Sequence, residues 1–395
     1  MRLSIGKEEI LQRQQKWRAR LQENRIDCAI LFSVTDIFYL TAFHFRPSER
    51  PICFFVDPQE KTHLFVPALE REHAEEYAYV DAVHSYPEYP SLRHPMEYLK
   101  EALLESGFQE RTVGLDAEGY SSAKGYRGPR LRDFLPAKAF SSIRGWVEEM
   151  RFIKSPAEIE LIRESCCWGN LAHRLLQKYS KPGRSEIEIT GRASAEATMA
   201  MVETLGPGYK PHGDTVTARA VFRGQVGPMS AFPHAVTQNL VLKRGDTLVT
   251  GAGADVWGYH SELERTMFVE EVSREQEKYF QLMYEAQEVA FRHIMPGKPA
   301  STVEQAVQSF FRENGVQHLT CHHTGHNIGL LGHEAPFFDL GDETIMEPGM
   351  VFTVEPGIYV KGLGGFRHSD TVLVTDQGME MLTYYPRDLA SLVCG

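Results

Sequence analysis

The residues best suited to chemistry in this chain lie between positions 321 and 370. Cys321-His322-His323-Thr324-Gly325-His326 is followed by Gly332-His333-Glu334. Then come Thr353-Val354-Glu355-Pro356-Gly357 and Gly365-Phe366-Arg367-His368-Ser369-Asp370. An imidazole can carry a proton or a metal near neutral pH, and a neighbouring carboxylate can orient the ring or share the ion. Upstream, Glu262-Leu263-Glu264 precedes Arg265-Thr266-Met267-Phe268-Val269. On a strand, that spacing sets both carboxylates on one face, and the apolar Met267-Phe268-Val269 argues against a solvated charge run. These groups suit a hydrolytic pocket or a metal site built from several strands.

The elements that must position them follow from the hydrophobic pattern. Residues 7–24 carry Ile10, Leu11, Trp17 and Leu21 at helical spacing. Short apolar runs at 28–32, 51–56, 62–67 and 112–115 read as strands, with helical stretches around 69–77 and 95–106. Strands alternating with helices make the first 145 or so residues an α/β domain. Near 150–156, Ser155-Pro156 with Glu158 three residues after the serine forms a capping box that opens a long helix. The boundary is therefore set between an N-terminal domain, 1–148, and a second domain, 149–395. The second domain contains an internal repeat. Tyr179–Ile187 and His293–Val303 each place a Pro-Gly turn between helices, and Lys243–Val249 resembles Met346–Phe352 as a polar turn entering an apolar strand. Two such halves closing on each other would make a cleft.

The chain has 395 residues, 42% of them hydrophobic, and a formal net charge of −11. The length suits two domains. The acidic balance disfavours a nucleic-acid partner. There is no secretory signal and no apolar stretch near 18 residues, so a cytoplasmic chain without membrane contact is expected. The six cysteines fit neither a zinc ribbon nor a disulfide framework. Most read as small buried apolar residues, and Cys321, beside the histidines, keeps a minor reading as a nucleophile.

Ser230-Ala231-Phe232-Pro233-His234, Gly253-Ala254 through Gly258-Tyr259, Arg265-Thr266, the run from His322 to Glu334, Glu347-Pro348-Gly349-Met350 and Glu355-Pro356-Gly357 agree in order with one pattern. Together they resemble the pita-bread superfamily of Xaa-Pro aminopeptidases, prolidases, methionine aminopeptidases and creatinase. The resemblance implies an α/β N-terminal domain of the creatinase/prolidase type. It also implies an α+β pita-bread catalytic domain with a pseudo-twofold internal repeat. Peptidases of this superfamily hold two divalent metals with two Asp, one His and two Glu. In this chain those positions fall on Gly251, Glu262, His326, Glu355 and Ser369. Gly251 has no side chain and Ser369 is a weak neutral ligand, so a dinuclear centre is not expected. A single metal on Glu262, His326 and Glu355 stays open.

The resemblance to the metal-free creatinase, and to ectoine hydrolase, then leads to the first expectation. This is a metal-independent or metal-poor hydrolase that cleaves a C–N bond in a small zwitterionic, amidino-type or cyclic substrate, with no cofactor. His234 would be the general acid/base, with His326, Glu355 and His333 as the other catalytic groups. Glu262, Glu264, Arg265, His322 and His368 would bind substrate, and Arg46 and Arg50 would reach a neighbouring site across a homodimer. Arg265 also has a structural reading, as the partner of one of the glutamates. Two alternatives stay open. One is a metal-dependent Xaa-Pro dipeptidase or aminopeptidase using Mn, Co or Zn and acting on a dipeptide. The other is a catalytically silent member that binds peptide or protein.

Overall fold

A computed structural model describes residues 3–88, 90–120, 128–213 and 216–395. The chain divides into two compact units. One is Ile5–Met150; the other is Arg151–Gly395 with Met1–Ser4.

The N-terminal unit is an α/β layer. Its six-stranded sheet runs Ala82–Tyr86, Thr62–Pro67, Cys53–Val56, Cys28–Leu31, Thr112–Leu115, Ala139–Ser142. The central strands are buried along their whole length, which explains why they read as unbroken apolar runs rather than alternating ones. Phe55, Phe65, Leu99, Leu103 and Phe108 pack one face of the sheet against the helix Pro95–Glu105.

The second unit opens on the helix Pro156–Tyr179. The Ser155 side chain accepts from the Glu158 backbone N–H at 3.2 Å, and the Glu158 carboxylate accepts from the Ser155 N–H at 2.8 Å. The capping box read from sequence is thus formed, and such caps contribute about 1 kcal/mol. The Glu158 carboxylate also accepts from the Tyr259 hydroxyl at 2.6 Å, tying the helix start to the turn that precedes Glu262.

An eight-stranded sheet carries the site. Its order is Glu334–Phe338, Gly325–Asn327, Val351–Val354, Ser369–Thr375, Leu263–Glu264, Gly251–Ala254, Ala218–Val221, with Gly378–Met381 added beside Ser369–Thr375. The internal repeat is visible in the backbone. Gly183 N–H donates to Leu242 C=O at 2.9 Å, and Gly297 N–H donates to Met346 C=O at 2.8 Å. Both glycines adopt a left-handed φ, +82° and +81°, a conformation that glycine takes without strain. Each half thus locks its Pro-Gly turn against the polar turn that enters its own strand.

Candidate metal and active site

Sheet register decides which side chains meet. Glu264 is paired with Ser369, Leu263 with Ala252 and Asp370, and Thr353 with Thr371. Alternation along each strand then puts Gly251, Glu262, Glu264, Ser369, Thr371, Thr353 and Glu355 on one face. His326 joins them from the next strand, where its N–H donates to Thr353 Oγ1 at 3.2 Å. The expectation that Glu262 and Glu264 share a face holds, although the strand there is only two residues long.

His326 is fully buried. Its Nδ1–H donates to Asn327 C=O at 3.0 Å, so Nε2 is the nitrogen turned towards the carboxylates. Among the described residues Nε2 has no hydrogen-bond partner, and it lies 3.2 Å from Glu355 Oε1. A buried imidazole with its far nitrogen tied to a carbonyl and its near nitrogen facing carboxylates is the arrangement of a metal ligand. His333 is exposed at the rim and stacks on His326 with ring centroids 3.8 Å apart. Two overlapping groups gather potential ligand atoms within 4.8 Å of one another: Glu262, His326 and His333, and Glu262, Glu264 and Glu355. Glu262 belongs to both.

The charges of this cluster are strongly coupled. Burial, then Glu355 and Glu264, push the Glu262 carboxyl up to about 7. Burial alone would lower the imidazolium of His326, but the Glu355 carboxylate 3.2 Å away and the charge of Glu262 raise it instead. Burial would raise Glu355, but His326 and Arg367 hold it low. Three carboxylates thus face one imidazole, in a place where a divalent cation would offset their charge.

Glu262 is further fixed by Ser369 Oγ, which donates to its Oε1 at 2.7 Å, and by Thr371 Oγ1, which donates to its backbone carbonyl at 2.8 Å. Glu264 is buried and bound to two guanidinium groups. Arg367 reaches it through Nε and through Nη2 (2.9 Å to Oε1), and Arg223 donates to Oε1 through Nη2. Arg367 Nη1 also donates to the Tyr359 hydroxyl at 3.1 Å, and that hydroxyl lies 2.7 Å from His322 Nε2. His322 Nδ1 is 2.8 Å from the His323 carbonyl, so Nδ1 donates there and Nε2 accepts from Tyr359. An open cleft of about 620 Å³ reaches the site from one side, its wall including Arg219, Arg223, Gly251, Glu262 and Glu264.

Other residues singled out in the sequence lie elsewhere. Arg265 is fully buried and pairs with Asp370 at 2.7 Å, not with a glutamate; it also donates to the carbonyls of Glu264, Ser369, Tyr385 and Pro386. It is a structural tie rather than a substrate ligand. His368 is also fully buried. Its Nδ1 accepts from Thr266 N–H at 3.2 Å, its Nε2 donates to Arg387 C=O at 3.1 Å, and its ring edge meets Phe280. With both nitrogens bonded to the main chain it has none left for a substrate.

His234 is exposed and bonded to none of the clustered groups. Arg46 and Arg50 belong to the N-terminal unit, where Arg46 is exposed and Arg50 pairs with Glu49 at 2.6 Å and Glu88 at 2.7 Å. Cys321 is exposed with its thiol pushed up by partial burial, the opposite of an activated nucleophile. The sequence reading assigned no role to Arg367, Arg223 or Tyr359. Only Arg367 had a signal, its place two residues after Gly364-Gly365.

A family model described as the creatinase/prolidase N-terminal domain matches residues 13–153. The Xaa-Pro dipeptidase of Pyrococcus furiosus is 29% identical over 373 residues, covering 93% of this chain and 97% of that protein. A solved Xaa-Pro dipeptidase from Bacillus anthracis superposes with a TM-score of 0.80 at 26% identity, covering 96% of this chain and 99% of its own. The prolidase from Pyrococcus furiosus gives 0.75 at 26% identity, covering 93% and 99%.

These matches and the gathered ligands overturn three expectations. Relatives that match along nearly the whole chain include Xaa-Pro dipeptidases, which removes the assignment to creatinase or ectoine hydrolase. The metal-independent C–N hydrolase is corrected too, because the relatives are peptidases and the His and Glu side chains gather as potential metal ligands. The absence of a cofactor is corrected as well. Reading Gly251 and Ser369 as lost ligands overlooked that Glu264 and His333 bring other ligand atoms to the same place. The model described as metallopeptidase family M24 matches residues 160–376, more than half of the sequence, and the chain belongs to that family.

Proposed function

We propose that this protein is a metal-dependent Xaa-Pro peptidase, a dipeptidase or aminopeptidase that hydrolyses the bond preceding proline in short peptides. The observation that carries the reading is the buried Nε2 of His326, 3.2 Å from Glu355 Oε1 and gathered with Glu262. Glu262, His326 and His333, with Glu355 alongside, are the residues that would hold a divalent metal. Such an ion supplies a Lewis acid for the peptide carbonyl and a nucleophilic water at neutral pH.

The chain's own groups do the rest. Asn327 C=O holds the His326 ring by its Nδ1–H. Ser369 and Thr371 hold Glu262 by its side chain and its backbone. The Glu262 carboxyl, held up by burial and by Glu355 and Glu264, would be a ligand for the ion once deprotonated. Arg223 is 43% exposed on the cleft wall and offers a guanidinium to a peptide's terminal carboxylate. The names of the full-length relatives support the substrate class. The reading includes a homodimer in the cytoplasm, checked by light scattering of the purified chain and by fractionation of the cells that make it.

The test is hydrolysis of Xaa-Pro dipeptides and of longer peptides with proline second. Activity should vanish with a chelator and return with Mn²⁺ or Co²⁺. A metal-loaded, folded protein that cleaves neither peptide class would sink the proposal, as would activity indifferent to the chelator.

A further inference from the structure

Lys154 lies just before the capping box that opens the second unit, and its side chain is buried. Its N–H donates to Gly349 C=O at 2.9 Å. Its stem is closely packed, since a Cβ on Gly329 would stand 3.0 Å from Lys154 Cε. Burying an ammonium is costly unless its hydrogen bonds are made. The ordinary reading is a structural pair with Glu334, whose Oε2 lies 3.4 Å from Lys154 Nζ. That carboxylate already has a cation, because Arg151 Nε lies 3.4 Å from its Oε1. Leu331 N–H also donates to Oε1, at 3.0 Å. What Lys154 adds is a bond to Asn327 Oδ1, 173 positions along the chain.

Asn327 stands where the sheet is irregular. His326 pairs with Phe337 and Asn327 with Glu334, so the register slips between adjacent residues. A bulge gives up part of the ladder and re-aims side chains. Here the Asn327 C=O meets the ring of the residue before it and accepts from His326 Nδ1–H at 3.0 Å. Asn327 is fully buried. Its amide is held on both sides, Oδ1 by Lys154 and Nδ2 by donation to Phe152 C=O at 3.3 Å. Glu334 in turn follows His333, whose ring stacks on His326 with centroids 3.8 Å apart. One ammonium thus ties together the residues that follow both stacked imidazoles.

We infer that Lys154 is a positioning residue: through Asn327 it holds the bulge that points His326 Nε2 at Glu355. It is bonded to neither imidazole. Without the ammonium, the Asn327 side chain loses its anchor, the carbonyl drifts from Nδ1 and the ring loses its aim. The inference rests on the metal-dependent reading only for its effect on ion binding; the ring's placement belongs to the metal-free chain.

The test compares the full chain with Lys154→Met, Asn327→Leu and the double variant, using circular dichroism melts to confirm folding. Methionine fills the space of the lysine stem, and Glu334 keeps Arg151. The first readout is proton exchange in metal-free protein carrying ¹⁵N-labelled histidine. The His326 Nδ1–H, assigned by its loss in His326→Gln, should exchange with water about tenfold faster in each variant, as a locally opened bond does. The second is Co²⁺ titration followed by visible absorption. Affinity should fall by about tenfold, as when a group that orients a ligand is removed. The double variant should lose no more than the worse single variant, because the two residues act in series. Wild-type exchange or wild-type Co²⁺ affinity in a folded Lys154→Met would overturn the inference, as would losses that add in the double variant. If Lys154→Met does not fold, Lys154→Gln is measured in its place against the same outcomes; its polar end is one atom too short to reach Asn327 as lysine does. A wild type that binds no Co²⁺ would remove the peptidase reading and leave the exchange rates to decide this one.

Discussion

Gly325, immediately before His326, sits where a side chain cannot fit. A Cβ there would lie 2.0 Å from the Thr353 carbonyl oxygen and 3.2 Å from a ring carbon of Phe338. Ordinary contact begins at 3.4 Å, so Gly325→Ala forces the two strands apart by about 1.4 Å. The obstacle is backbone, which cannot turn aside. Two bonds cross that gap: His326 N–H to Thr353 Oγ1 at 3.2 Å and Glu355 N–H to Thr324 C=O at 2.7 Å. Both involve residues assigned to the metal, so spreading the strands lengthens the His326–Glu355 approach. Overpacking of this kind costs about 1–3 kcal/mol, which for a unit of this size lowers the melting temperature by roughly 3–10 °C. Displacing a reactive group by about 1 Å costs on the order of 10²-fold in kcat/KM. The assay pairs thermal unfolding with Xaa-Pro hydrolysis of protein that is still folded at 20 °C. Gly332→Ala is the control, since a Cβ there meets nothing within 4 Å. If Gly325→Ala melts within 1 °C of wild type and keeps its kcat/KM, the argument from strand spacing is wrong.

Other outcomes follow from the same geometry. Saturating Mn²⁺ at about a hundred times its dissociation constant should stabilise the metal-free protein by about 2.7 kcal/mol, seen as a raised melting temperature that a chelator reverses. His173 is fully buried and its imidazolium is pushed down from 6.5 to about 3 by burial and by Arg265. The unfolded chain therefore binds a proton that the folded one refuses. Stability from this group is complete above pH 6.5 and falls by about 5 kcal/mol as pH drops towards 3. His173→Gln should flatten the acid limb of urea-unfolding stability, and an unchanged slope would exclude the explanation. Arg265→Met should destabilise by about 3–5 kcal/mol because Asp370 is left buried with only the more distant Arg387, 3.7 Å away, as a charge partner. In denaturant melts, adding Asp370→Asn should recover part of that loss.

The sequence disclosed what is local or periodic. The capping box at Ser155, the paired Pro-Gly turns and the buried strands of the N-terminal unit follow from short-range rules, and all are formed. The residues His326, Glu355 and Glu262 were recognisable because long motifs surround them. What stayed hidden depends on register and distant pairing. Ser369 and Glu264 are more than a hundred positions apart, yet the sheet makes them neighbours, so judging Gly251 and Ser369 one position at a time suggested a lost metal site. His368 looked like a cleft residue because it lies in a conserved-looking motif, but it falls between the strands Gly364–Arg367 and Ser369–Thr375 and turns into the core. Arg223 reaches Glu264 from a turn where it adopts a left-handed φ of 55°, and no spacing rule points from one to the other.

The twin turns at Gly183 and Gly297 set a condition on the site that neither half meets alone. The first half brings only oxygen donors, Glu262 and Glu264; the second brings both imidazoles and Glu355. The two repeats are built alike but are not chemically redundant. Each is an incomplete chelator, and the ion reports on their union. Metal retention in this protein is therefore a readout of whether its two halves are correctly closed, and a chain cut between Val269 and Arg274 should regain its metal only when both fragments reassociate.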